Sequence, residues 1–141
     1  MNSKYLITMF IIMIFIGKIA VAQPAGVAGP SDTLVVMWTS GDPEVAQEVC
    51  LMYAHAAKKN KWFKEVILIV WGPSQRLAVE NAAIKEKVAS MRKDGVIVQA
   101  CIACSNMLGV TDALKACSID VRGMGVPLTA YLKRGYKVVT Y

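Results

Sequence analysis

Histidine is almost absent. His55 is the single histidine in 141 residues. A nucleophile–histidine couple would depend on that residue alone, and its helical phase groups it with charged side chains, as an exposed bystander. Metal ligands are scarce for the same reason. A structural zinc site takes about four ligands, often two C-x-x-C pairs. This chain has one such pair, Cys101 and Cys104, and Cys50, Cys117 and His55 stand at no metal-binding spacing from it. No metal and no cofactor are expected. A phosphate loop is missing too. Gly123-Met124-Gly125 lacks the third glycine of the dinucleotide fingerprint and the lysine of a P-loop. Lysine and arginine outnumber aspartate and glutamate by 16 to 10, but no basic stripe is interleaved with aromatics. Nucleic acid is therefore not an expected partner, and the basic excess reads as a solvated surface. No internal repeat or low-complexity segment occurs.

What is present begins with a leader. Residues 1–22 carry Lys4, an apolar run from Tyr5 to Gly17, and Ala20-Val21-Ala22. A basic start, an apolar centre and an A-x-A end describe a secretory signal peptide, with cleavage expected after Ala22. The run is shorter than the ~20 residues of a membrane span, and Lys18 interrupts it, so no stable membrane anchor is expected after cleavage. No cysteine stands at the cleavage site, which argues against a lipoprotein. Removing 1–22 takes away Lys4 and Lys18 and no acid, so the formal charge falls from +6 to +4. Residues 23–32 contain Pro24, Gly26, Gly29 and Pro30 and read as a flexible leader.

From residue 33 the pattern alternates. Thr33 to Thr39 and Val66 to Trp71 are near-continuous apolar runs of the kind buried on both faces of a parallel sheet. Asp42 is the expected N-cap and Pro43 the first residue of a helix running to about Lys59. Its expected apolar face is Val45, Val49, Met52, Tyr53 and Ala56, with Cys50 flanking it as a small buried hydrophobe. Ser74 to Asn81 reads as a helical turn. It leads into a helix from Ala82 to Lys93 that turns Val79, Ala83, Val88 and Met91 inward and stops at Asp94-Gly95. Val96 to Ala100 forms a strand and Ile102 to Leu108 a helix. A short helix at Thr111 to Cys117, a short strand at Ile119 to Gly123, a helix from Pro127 to Arg134 and a last strand from Tyr136 to Tyr141 complete the chain. Strands that alternate with helices imply a three-layer α/β domain with a mainly parallel sheet. Trp38 and Trp71 fall at the carboxyl ends of their strands, where open sheets line a ligand crevice. With Met124 they are candidate crevice residues; two core tryptophans are the alternative.

The chemistry concentrates at Cys101 and Cys104. Cys101 stands where a strand ends and a helix begins. Backbone N–H groups are unpaired there and the helix dipole is positive, which favours a thiolate. Cys104 follows one helical turn later on the same face. All four cysteines lie beyond the leader, and the domain is long enough to bury a core without disulfide staples. Two uses fit such a pair. One is thiol–disulfide exchange. The other is carriage of sulfane sulfur as a persulfide. Thioredoxin is a poor match: no tryptophan precedes Cys101, and the pair follows the third strand rather than the first.

The order of motifs matches another family. A strand is followed by Asp42-Pro43-Glu44-Val45-Ala46. An apolar strand then ends in Trp71-Gly72-Pro73, and a helix ends in Asp94-Gly95. Next comes Val96-Ile97-Val98-Gln99-Ala100-Cys101-Ile102-Ala103-Cys104, which runs on to Leu108-Gly109-Val110. With the closing Gly135-Tyr136-Lys137-Val138-Val139, this resembles the DsrE/DsrF-like (TusD/YchN-like) sulfur-relay family over residues 33–141. The resemblance implies a Rossmann-like α/β/α sandwich with a five-stranded parallel sheet, assembled as a homotrimer or homohexamer. It also implies that Cys101 is the sulfur-accepting cysteine and Cys104 a second thiol that resolves or protects the persulfide. Many members carry Arg-Gly where this chain has Leu108-Gly109, and the best-known relays work in the cytoplasm. The expectation here is an exported, periplasmic carrier that exchanges sulfur with donor and acceptor proteins or small sulfur species. The alternatives are a non-catalytic oligomeric module that binds a small ligand, and a thiol–disulfide exchange protein.

Overall fold

The computed structural model describes residues 31–141, so the expected signal peptide and the leader up to Pro30 lie outside the described residues. Five strands form one sheet: β1 (Thr33–Trp38), β2 (Glu65–Val70), β3 (Ile97–Cys101), β4 (Asp120–Arg122) and β5 (Lys137–Thr140). Their order is β4-β3-β2-β1-β5, and every neighbouring pair is parallel. Six α-helices accompany them: α1 (Leu51–Lys59), α2 (Ser74–Glu80), α3 (Ala82–Lys93), α4 (Ile102–Leu108), α5 (Thr111–Ala116) and α6 (Gly125–Lys133). A π-helical stretch, Val45–Cys50, leads into α1. The fold is a three-layer α/β/α sandwich of Rossmann-like type. No helix among the described residues is long and apolar enough to cross a membrane.

Topology makes the two faces unequal. Parallel crossovers are right-handed, and β1 to β4 are laid down in one direction across the sheet. Their connecting helices therefore share one face. The last connection returns past β1 to place β5 at the opposite edge, so α6 lies on the other face. The cores reflect this. Leu34, Val36, Trp38, Val66, Leu68, Val70, Val98 and Ala100 pack beneath α1, α3 and α5 in the larger core. Val35, Ile67, Ile69, Cys101 and Met124 form the smaller one, with Leu128 and Tyr131 of α6 against it.

The first helical segment departs from the sequence reading. Asp42 caps it as expected, its Oδ1 accepting the N–H groups of Glu44 at 2.7 Å and Val45 at 3.1 Å. The chain then winds as a π-helix, and the N–H of Leu51 bonds to the carbonyl of Ala46, five residues back. That winding rotates the residues that follow. Ala46, Cys50, Leu51, Ala54 and Ala57 face the sheet, while Val49 and Met52 are exposed. Three alanines and a cysteine let the helix lie close against the strands, which outweighs the larger apolar area of Val49 and Met52.

The same rotation buries His55, which is 7% exposed. This corrects its expected place among exposed charges. Lys87 Nζ, which can only donate, bonds His55 Nδ1 at 2.9 Å. The Nε2–H of His55 therefore donates to the carboxylate of Asp94. That hydrogen bond holds the Asp94 carboxyl below its ordinary pKa. A depressed acid pKa contributes stability above the ordinary value, and the contribution is lost as pH falls through the folded-state value. Asp94→Asn is expected to flatten the acid limb of the stability–pH curve below pH 3.8; urea midpoints measured from pH 5 downward check this. An unchanged acid limb would show that the pair is idle.

Other boundaries differ by small amounts. The stretch read as a helical turn is a helix of two turns, α2 (Ser74–Glu80), and the chain turns at Asn81, whose Oδ1 caps α3 through Ile84 N–H at 3.1 Å. The turn sets the phase of α3, so Ile84, Val88 and Met91 are buried and Ala83 is exposed. Helix α6 begins at Gly125, two residues before Pro127, which fits within the first turn where its missing N–H costs nothing.

Candidate functional site

The site is built where three strands end. β3 finishes at Cys101, and α4 starts at the next residue. Cys101 keeps extended backbone angles, φ −77° and ψ 115°, and Gly109 closes α4 with φ +70° in the left-handed region. The Cys101 side chain points to the α6 face and is only 5% exposed, packed with Val35, Ile67, Ile69 and Met124. Burial alone would oppose its ionisation. The N–H groups of Cys104, Ala103 and Met124 and the Cys104 thiol all reach its sulfur, and together they hold its pKa below that of an ordinary thiol. Cys104 moves the other way. Burial raises it, and so does the neighbouring Cys101 charge, against opposing hydrogen bonds from the Gly72 N–H and the Trp71 side chain. The pair is thus divided into a shielded Cys101, ionised more readily than an ordinary thiol, and a half-buried Cys104, ionised less readily.

A polar clamp below the pair escaped the sequence reading. Ser74 and Gln75 open α2 and are fully buried. Ser74 Oγ donates to the Trp38 carbonyl at 2.6 Å and accepts the Trp71 N–H at 3.1 Å. Gln75 Nε2 donates to the carbonyls of Val70 and Cys101, both at 3.0 Å. Two side chains thereby tie the ends of β1, β2 and β3 together and fix the peptide that carries Cys101. The available signal was the polar Ser74-Gln75 directly after the strand-ending Trp71-Gly72-Pro73, in a stretch too short for periodicity to assign a face.

The expected crevice residues divide. Trp71 and Met124 do meet the cysteine pair, Trp71 at Cys104 and Met124 through its N–H at Cys101. Met124 is fully buried, so it closes the site over Cys101 rather than lining an opening. Trp38 belongs to the larger core on the opposite face and is fully buried. It is a packing residue, because side chains alternate along β1 and Trp38 points away from the face of Val35 and Met37. Cys50 and Cys117 also lie in or against that larger core. Burial pushes the Cys50 thiol up to about 12, which leaves it inert at neutral pH. Among the described residues no group of three or more His, Cys, Asp or Glu side chains could hold a metal ion.

An apolar groove of about 220 Å³ adjoins the pair, lined by Gly72, Pro73, Cys104, Met107 and Leu108. A larger cavity of about 530 Å³ lies at the opposite end of the sheet, between Lys58, Lys59, Lys61, Phe63, Lys64 and Asp94. Lys58 and Lys59 occupy the last turn of α1, where cations balance the helix carbonyls, so those charges have a structural role.

A solved structure of a conserved protein of unknown function, BT1422 from Bacteroides thetaiotaomicron, is similar to this chain. The two are 32% identical with a TM-score of 0.75, over 78% of this chain and 95% of that one. The chain belongs to the BT1422 family. No family model matches it and no curated protein is similar to it. Membership of the BT1422 family carries the fold and leaves the chemistry to be argued from the cysteine pair.

Proposed function

We propose that this protein is an exported, DsrE-like sulfur carrier that takes up sulfane sulfur as a persulfide on Cys101, with Cys104 as the resolving or protective thiol. The observation that carries this reading is the placement of Cys101 at the β3–α4 junction with Cys104 against the same small core, where the N–H groups of Cys104, Ala103 and Met124 and the Cys104 thiol favour a negative sulfur. Such a cradle stabilises a negative sulfur, and the outer sulfur of a bound persulfide is an anion of the same kind. The motif order from Asp42-Pro43 to Leu108-Gly109-Val110 supports the DsrE-like assignment. The basic–apolar–A-x-A pattern of residues 1–22 supports export to a periplasm. Assembly as a homotrimer or homohexamer draws support from the thinly covered α6 face, where Val126 is 83% exposed and Leu132 and Ile97 are also exposed.

Intact mass of the mature protein after exposure to a polysulfide is the test. A gain of ~32 Da per sulfur atom supports the carrier. Loss of two hydrogens with no sulfur added would replace it with thiol–disulfide exchange. The second reading rests on its own observation: Cys104 packs against the small core that contains Cys101, and each thiol shifts the other's pKa.

A further inference from the structure

The two cysteines divide more than a proton between them. Cys101 is the more readily ionised of the two but is almost wholly covered, packed with Val35, Ile67, Ile69 and Met124. Cys104 holds the opening. It forms one wall of the groove whose other walls are Gly72, Pro73, Met107 and Leu108, and no charged side chain contributes to it. Every surface that this groove exposes is apolar. Met107, on its rim, is 86% exposed, a large apolar side chain standing in water beside a reactive pair. The volume, about 220 Å³, is several times the ~30 Å³ share of a water molecule. That is room for a short alkyl or sulfur chain and too little for a folded segment of another protein.

We propose that this groove is the donor subsite, and that it selects an organic persulfide, R–S–S–H with a small apolar R group, over oxyanion donors such as thiosulfate. The proposal rests on the persulfide reading of Cys101. An apolar R group gains by leaving water for the Met107 and Leu108 walls. An oxyanion entering the same space would lose its hydration and find no polar side chain to replace it. In the transfer, the Cys101 thiolate attacks the outer sulfur of R–S–S–H. The bond between the two donor sulfurs breaks, a new S–S bond forms on Cys101, and R–S⁻ leaves along the groove. The leaving thiolate takes the proton of the Cys104 thiol. Cys104 recovers a proton from the new Cys101–S–SH, which remains as Cys101–S–S⁻. The sum is Cys101–S⁻ plus R–S–S–H giving Cys101–S–S⁻ plus R–S–H, so no outside oxidant or reductant is required.

Two rate comparisons on the mature protein test this. The first follows sulfur loading by intact mass, using propyl hydropersulfide and thiosulfate as donors, in wild type, Met107→Lys and Met107→Leu. The second follows thiol modification by methyl methanethiosulfonate and its anionic sulfonatoethyl analogue, each rate divided by that of the same reagent with a small free thiol. The alkyl donor and the neutral reagent are expected to be favoured by about tenfold or more. Met107→Lys, which places a cation on the rim, is expected to remove most of that preference and Met107→Leu to keep it. Equal loading from thiosulfate, or a preference that Met107→Lys leaves untouched, would overturn the groove assignment while the persulfide reading stands. Loading from neither donor, with the neutral reagent still preferred, would overturn the persulfide reading and leave the groove selective for uncharged thiol reagents.

Discussion

Serine at Cys101 is expected to bring sulfur loading down to background. A hydroxyl in the same cradle stays protonated at neutral pH, and it lacks the polarisable sulfur that attacks an S–S bond. Cys104 acts differently. Cys104→Ala removes the thiol that donates to Cys101 and leaves the three N–H groups in place. Loading should persist in that variant, with its pH profile displaced upward, because less of Cys101 is thiolate at a given pH. The persulfide should also last longer. Attack by Cys104 on Cys101–S–SH, giving the Cys101–Cys104 disulfide and hydrogen sulfide, is no longer open to it. Intact mass against time and pH reads both effects. Loading that survives Cys101→Ser, or a Cys104→Ala profile displaced downward, would sink the assignment of roles. Reactivity is a better readout than stability here. The lowered Cys101 pKa contributes stability that is lost as pH falls, whereas the raised Cys104 pKa contributes stability that is lost as pH rises above the ordinary thiol value of 9.0. The two trends oppose each other.

Truncation of Trp38 to alanine is expected to cost about 4 kcal/mol of stability, a large share of the ~5–15 kcal/mol that holds a domain of this size together. The side chain is fully buried at the end of β1 in the larger core, so its loss would leave a cavity there. Its indole Nε1 finds no hydrogen-bond partner among the described residues. Trp38→Phe keeps most of the apolar contact and removes that unpaired donor, so its cost should be about 1 kcal/mol or less. Urea denaturation of the two variants separates the cases. A small loss for Trp38→Ala together with altered thiol reactivity would return Trp38 to the site. A large loss with unchanged thiol reactivity in the remaining folded protein identifies it as core.

Much of this protein is local and was legible as such. The runs Thr33–Trp38, Glu65–Val70 and Ile97–Cys101 contain few residues that could face water, so they imply a doubly covered parallel sheet. Asp42-Pro43 and Gly109 mark helix ends through backbone preferences that need no tertiary partner. The placement of Cys101 at a strand end, with Cys104 one turn on, follows from the same patterns. Facing was harder to read. Assigning 3.6 residues per turn through Val45–Cys50 put Val49 and Met52 inside and His55 outside, and the π-helical winding reversed all three. The break at Asn81 similarly exchanged Ala83 for Ile84.

By itself the sequence determined the strand and helix order, the parallel sheet and the chemical pair at the β3–α4 junction, because these depend on composition and spacing within a few residues. Only the tertiary structure decided what surrounds that pair. Crossover handedness put α6 on one face and α1 to α5 on the other. It thereby brought Met124 over Cys101 and left Trp38 on the far side of the sheet. The Gln75 clamp, the Gly72 N–H and the Met107 groove come from segments separated along the chain and joined only by the parallel register of β1, β2 and β3. The thiol exists because of its codon; whether it is a thiolate depends on N–H groups that the fold delivers from elsewhere.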